Sequence, residues 1–119
     1  MALKIKFMGG AEQAYTTALE TEEYFGGSNR RTLTFEIPRE KANLETLDAL
    51  CSEENLEKIE LINEEEGITN IYDGYTMKLR LGIEQKLLDP ETNAYGEHIC
   101  LKLGKLTYIE SRLKALGAI

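Results

Sequence analysis

The strongest constraint in this sequence is a two-residue alternation of apolar and polar side chains between residues 75 and 84. Every second position there is apolar: Tyr75, Met77, Leu79, Leu81 and Ile83. A period of two sends successive side chains to opposite faces of a β-strand. We therefore predict a long strand with one apolar and one wet face, as in an antiparallel sheet.

The same period recurs along the chain and predicts further strands. These are predicted at 3–7, 14–25, 31–37, 58–62, 68–72 and 99–103. Pro38 ends the strand at 31–37 because proline has no N–H to donate to a neighbouring strand. Threonines and aromatic residues favour a strand at 14–25, although the Ala, Glu and Leu residues of that segment also suit a helix. The segment 89–96 is rich in turn-forming residues and is predicted to be a surface loop.

Two segments have helical spacing instead. Between 43 and 52, Leu44, Leu47 and Leu50 recur every three residues, and Asn43 is a suitable N-cap. Between 106 and 116, apolar residues keep helical spacing up to Gly117. The apolar stripe of this second helix is too strong for a helix that stands free. We expect it to cover the domain's own core or a neighbouring subunit.

Together these elements predict one α+β domain, mainly β, over residues 1–119. We expect a small antiparallel barrel or sandwich of about six strands, with one short central helix and a C-terminal helix. A chain of 119 residues is long enough for one hydrophobic core and too short for two.

The charge of the chain disfavours two classes of partner. The net charge is −7, from 21 acidic and 14 basic residues, and acidic residues are concentrated between 40 and 66. Such a surface repels the phosphate backbone, whose neutralisation by Lys and Arg supplies most non-specific affinity for nucleic acids. We therefore expect no nucleic-acid partner and no anionic membrane.

The apolar segments also bear on the compartment. Lys4 and Lys6 interrupt the N-terminal apolar stretch, so it does not look like a secretory signal, and no stretch is long enough to cross a bilayer. We expect a location in the cytoplasm of a host cell or in a virion or prophage particle. In the reducing cytosol, Cys51 and Cys100 are expected to be free, mostly buried thiols rather than a disulfide.

The loop from Gly26 to Arg31 has two glycines followed by two basic residues, as a phosphate-binding loop would. Such a loop needs a helix after it, because the helix N-terminus binds the anion. Here a predicted strand follows, so a hairpin turn is the better interpretation. Arg30 and Arg31 are then expected to be exposed at its edge, as candidate contact residues.

His98 is the only histidine and so the main candidate for acid–base chemistry near neutral pH. It lies two residues before Cys100, but no orienting motif surrounds this pair, and we expect His98 to face solvent at a strand end. Three Cys and His residues are too few for a structural zinc site, and residues 89–97 lack the glycine and glutamate positions of a calcium loop. No cofactor and no metal are predicted. The many carboxylates leave a glycosidase pair open, because their separation in space does not follow from the sequence.

The segments 28–38, 60–67 and 71–75 resemble baseplate hub and tail-associated proteins of long-tailed phages and related prophage elements. The similar features are the turn and strand Ser-Asn-Arg-Arg-Thr-Leu-Thr-Phe-Glu-Ile-Pro, the charged hairpin Glu-Leu-Ile-Asn-Glu-Glu-Glu-Gly and the return Ile-Tyr-Asp-Gly-Tyr. The resemblance covers roughly residues 24–83. It implies a small accessory tail or baseplate component with no catalytic residues, whose partners are other phage structural proteins or further copies of the chain. The large hub proteins have more domains, so the central hub role is not implied.

A non-enzymatic assembly protein is thus the leading hypothesis. Its candidate interaction residues are Arg30, Arg31, Glu64, Glu65, Glu66 and Tyr95. The alternative is a small-molecule-binding or enzymatic β-barrel with a pocket lined by Tyr72, Tyr75, Tyr95 and His98. A third hypothesis is a regulatory protein that binds a basic partner through the acidic segment 53–66.

Overall fold

The computed structural model of the chain describes residues 3–117, which form two four-stranded antiparallel sheets. The strands are β1 (Leu3–Lys6), β2 (Glu12–Ala14), β3 (Thr17–Phe25), β4 (Ser28–Pro38), β5 (Lys58–Asn63), β6 (Ile68–Asp73), β7 (Met77–Asp89) and β8 (Ala94–Gly104). The helices are a 3-10 turn (Arg39–Lys41), α1 (Leu44–Leu50), α2 (Glu53–Leu56) and α3 (Tyr108–Ala115). The predicted mainly β, α+β class is confirmed.

The first sheet has the order β2-β1-β5-β6 and the second sheet has the order β3-β4-β8-β7. Both sheets contribute to one hydrophobic core. The buried apolar residues of the strands are Ile5, Leu33, Phe35, Ile37, Ile59, Leu61, Ile99, Leu101 and Leu103. In β4 and β8 these residues occupy alternate positions. The residues between them therefore form the outer face of the second sheet, away from the core.

Most of the predicted strands are confirmed, including the uncertain segment 14–25, which is extended and supplies β3. The segment 89–96 was predicted to be a loop, and this is largely wrong. β7 continues to Asp89 and β8 begins at Ala94, where the two strands pair across a short turn. The pairing extends a hairpin, which satisfies the backbone of residues whose composition suggests a loop.

The alternation between 75 and 83 does not lie on a single face, and this part of the prediction is wrong. Tyr75 precedes β7, and a bulge between Lys78 and Arg80 shifts the pairing with β8. Met77 therefore lies opposite Gly104, whereas Leu81 lies opposite Leu101. Gly104 and Leu101 are three positions apart in β8 and so face opposite sides of the sheet.

Both predicted helices are confirmed. The Asn43 side chain caps α1 by accepting hydrogen bonds from the backbone N–H groups of Glu45 and Thr46. α3 is followed by Gly117, whose φ of 77° suits the end of a helix. The four-residue α2 is an additional element, capped by Ser52.

Cys51 and Cys100 are free and buried, as predicted. Cys51 lies in the core, where burial raises the pKa of its thiol to about 11. Cys100 lies on the outer face of the second sheet, opposite Glu36 in β4 and Gly82 in β7. Among residues 3–117, none of the helices is both long and apolar enough to cross a membrane.

Candidate functional site

The loop at Gly26 is a tight hairpin turn, as predicted. Phe25 and Ser28 pair as the last residues of β3 and β4, and Gly26 and Gly27 form the turn between them. Both glycines have positive φ, 63° and 84°, as the two central residues of a type I′ turn require. The backbone here connects two strands and offers no helix N-terminus to an anion.

Arg30 is not an exposed contact residue, so that prediction is wrong. Only 3% of Arg30 is exposed, and its guanidinium joins three parts of the chain. It donates to the Phe25 carbonyl at 2.9 and 3.0 Å and to the Lys105 carbonyl at 3.1 Å. It also donates to both carboxylate oxygens of Glu110, at 2.6 and 3.0 Å. The planar guanidinium matches the two oxygens of a carboxylate, which makes this a strong ion pair. Arg31, in contrast, is exposed and pairs with Glu20.

The Arg30 contact attaches α3 to the body of the protein. Hydrogen bonds from Arg30 and from the Thr107 backbone lower the pKa of Glu110 to about 2. The Thr107 side chain caps the helix in return, by accepting from the Glu110 N–H. Further along α3, Lys114 pairs with Glu53 of α2. Two ion pairs at positions four apart thus hold one side of α3 against the domain.

The opposite side of α3 is apolar and faces solvent. The exposed fractions are 69% for Ile109, 39% for Leu113 and 76% for Leu116. These residues have the spacing i, i+4, i+7 and define what we call the outward face of α3. Neighbouring Tyr108 is 77% exposed. The helix is therefore inverted relative to an ordinary surface helix, and the expectation that it covers the domain's own core is wrong.

Other large apolar side chains are exposed at the tip of the β7–β8 hairpin. Tyr95 lies there, opposite Leu87, and the two are 60% and 42% exposed. Leu88 in the same tip is 65% exposed. Tyr95, a candidate interaction residue, is thus accessible and has apolar neighbours.

The acidic candidates Glu64, Glu65 and Glu66 are exposed in the turn between β5 and β6. The Lys4 Nζ lies 2.6 Å from a carboxylate oxygen of Glu64. The Glu66 N–H donates to the Asn63 side chain at 3.2 Å, which stabilises the turn. In sequence these acids follow Glu53, which bonds to α3 from the far end of the acidic segment 53–66.

The residues of the alternative pocket do not meet at one site. Tyr72 and Tyr75 make an edge-to-face contact with ring centroids 5.7 Å apart, and Tyr75 is buried in the core. His98 and the buried Ile99 are successive residues of β8, so His98 faces the outer side of the second sheet. Tyr95 lies further along β8 at the hairpin tip.

His98 is not solvent-facing at a strand end as predicted, because β8 begins four residues earlier. Its side chain is 18% exposed and lies between two carboxylates, with Nε2 at 3.8 Å from Glu36 and 3.9 Å from Glu84. Burial raises the pKa of Glu36, but hydrogen bonds from Lys86 and Thr17 outweigh it, so the pKa is lowered overall.

Cys100 is on the same outer face, where its thiol is not activated as a nucleophile. Burial, and then the negative charge of Glu84, raise the pKa of Cys100, whereas a reactive cysteine needs a lowered one. Within residues 3–117, no cluster of three or more His, Cys, Asp or Glu side chains is arranged to hold a metal ion. The arrangement around His98 is thus a network of charged side chains across three strands.

Sequence reasoning missed Thr107 and Glu110, although a signal for them was present. Thr107 and Glu110 have the T-x-x-E spacing of a capping box immediately before an apolar helical run. The partnership of Glu110 with Arg30 has no local signal, because 80 positions separate the two residues.

No protein-family model matches the chain, and no curated protein and no solved structure is significantly similar to it.

Proposed function

We propose that this protein is a non-enzymatic assembly protein that acts through protein–protein contacts. The observation that carries the proposal is the outward face of α3, where Ile109, Leu113 and Leu116 are exposed while Glu110 and Lys114 are held against the domain. The short segments between residues 28 and 75 that resemble phage tail-associated proteins support a role as a small tail or baseplate component.

The energetics favour a partner for this face. Covering a large aliphatic side chain contributes about 1.5–3 kcal/mol relative to leaving it exposed. α3 cannot gain this by rotating inward, because rotation would break the bidentate pair between Glu110 and the fully buried Arg30 side chain. A protein partner that packs against the helix can cover these side chains without disturbing either ion pair.

The charge of the protein supports the choice of a protein partner over a nucleic acid. At −7, the chain would repel a phosphate backbone on approach. The proposed partners are other structural proteins of the same particle or further copies of this chain. The corresponding location is the cytoplasm of a host cell during assembly and the finished particle afterwards.

The test is light scattering after size-exclusion chromatography, on the chain alone and co-expressed with the products of adjacent genes. We expect a complex larger than the monomer. The double substitution Ile109→Ser with Leu113→Ser should weaken that complex at least about tenfold, because it removes apolar area from the contact. Met8→Ser is the matched control, since Met8 is also exposed (59%) but lies in the turn between β1 and β2.

A chain that stays monomeric under both conditions would argue against an assembly function. A complex that tolerates the double substitution would remove the outward face of α3 as its basis.

A further inference from the structure

We propose that the second sheet continues from one copy of the chain to the next, with β3 of one copy pairing with β7 of its neighbour. The inference rests on the proposed assembly function and names the partner as a second copy of this chain. Its basis is the direction, the charge and the exposure of the two edge strands.

Both outer strands of the second sheet have a free side. β3 pairs only with β4, and β7 pairs only with β8. Every second residue of such an edge directs its backbone N–H and C=O away from the sheet, which is a template for another strand. In β7 the bulges at Lys78/Arg80 and Leu87/Asp89 leave the segment 80–87 regular between them.

The strand directions allow the sheet to continue without a change of pattern. All neighbouring strands in the second sheet are antiparallel, so β3 and β7, at positions one and four, run in opposite directions. A second copy in the same orientation therefore places its β3 antiparallel to β7 of the first. Such contact joins two different edges, so it is heterologous and repeats from copy to copy.

The charges of the two edges favour this pairing over pairing of like edges. β3 contains three acidic residues and no basic one: Glu20, Glu22 and Glu23. β7 contains three basic residues, Lys78, Arg80 and Lys86, against the two acids Glu84 and Asp89. Two β3 edges would repel each other, whereas β3 against β7 brings opposite charges together.

The basic residues of β7 already have internal partners, but these leave them available. Arg80 pairs with Glu84 at 2.8 Å and Lys86 with Glu36 at 3.2 Å, and both basic side chains are more than half exposed. Exposed ion pairs of this kind contribute only about 0–1 kcal/mol, so sharing them with a second carboxylate costs little.

Each edge also exposes an apolar side chain near its middle. Leu19 in β3 is 61% exposed and Ile83 in β7 is 39% exposed. Strand addition would cover part of both, which adds a hydrophobic contribution to the backbone hydrogen bonds. Direction, charge and apolar exposure thus point to the same contact.

The experiment is a charge swap read out by concentration-dependent light scattering. Glu22→Lys makes β3 less acidic, and Arg80→Glu makes β7 less basic while facing Lys102 on β8. We expect the wild-type chain to self-associate and each variant alone to associate about tenfold more weakly. An equimolar mixture should recover wild-type association, because the changed β3 then meets the changed β7.

Glu91→Lys and Arg39→Glu are the matched controls, since they make the same changes of net charge at exposed positions away from both edges. Both should associate like wild type. As a measurement that needs no variant, wild-type association should weaken when salt is raised from about 0.05 M to about 0.5 M. Thermal unfolding of each variant checks that it is folded.

A wild-type chain that stays monomeric at about 1 mM, edge variants that associate like wild type, or a mixture that does not recover would each overturn the inference. If association survives both edge variants but is lost in the Ile109→Ser, Leu113→Ser variant, the proposed assembly function stands and edge pairing is wrong. The two proposals therefore fail separately.

Discussion

Replacing Glu110 by Gln should destabilise the protein by about 2 kcal/mol at pH 7. Glutamine keeps the size of the side chain but removes the charge opposite Arg30, whose side chain is fully buried. Removing one partner of a buried ion pair costs about 3–5 kcal/mol. The cost here is lower, because Arg30 keeps its bonds to the Phe25 and Lys105 carbonyls and the Glu110 side chain is 25% exposed.

The same difference should depend on pH in a defined direction. The pKa of Glu110 is about 2 in the folded protein, below its ordinary value of 4.5. A lowered folded-state pKa means that the carboxylate stabilises the fold above about pH 4.5 and that this contribution is lost as pH falls towards 2. The free-energy difference between wild type and Glu110→Gln should therefore shrink between these two values, because a protonated Glu110 resembles glutamine.

Urea unfolding followed by circular dichroism measures this difference at several pH values. Glu91→Gln is the control, since Glu91 is exposed in the turn between β7 and β8 and should change the stability by less than about 0.5 kcal/mol. The reasoning is refuted if Glu110→Gln is as stable as wild type at pH 7. It is also refuted if the difference is the same at pH 6 and near pH 3.

Two further predictions concern the second sheet and the core. A Cβ at Gly104 would lie 2.9 Å from Leu79 Cδ1 and 3.1 Å from Arg30 Cδ, so Gly104→Ala should lower the free energy of unfolding by about 1–3 kcal/mol. Gly82→Ala in the same sheet meets nothing within 4 Å and should be neutral or stabilising by up to about 1 kcal/mol; equal effects in urea unfolding would contradict this. In a Cys100→Ser background, Cys51 should react with Ellman's reagent at pH 8 at least about 100-fold more slowly when folded than in denaturant, because its pKa of about 11 leaves little thiolate. Similar rates in both states would show that the thiol is accessible.

The elements that could be predicted from sequence are those formed by local patterns. Leu33, Phe35 and Ile37 alternate with polar residues, and all three are at most 1% exposed in β4. Asn43 stands directly before a helical run and caps α1. In each case the residues that decide the structure are neighbours in the chain, so their spacing is sufficient.

The β7–β8 hairpin could be predicted only in part, because strand pairing decides its details. The bulge after Lys78 and the extension of β7 to Asp89 depend on the register with β8. Register is a relation between two segments, and the alternation within one segment does not contain it.

The candidate site divides in the same way. The sequence alone established that the chain ends in an apolar, helix-forming segment and that two arginines follow a glycine turn. Only the tertiary structure decided that Arg30 is buried and that the apolar side of α3 faces outward. The physical reason is that periodicity defines the faces of a helix but not its rotation against the domain. That rotation is set by ion pairs with Arg30 and Glu53, residues that are distant from α3 in sequence.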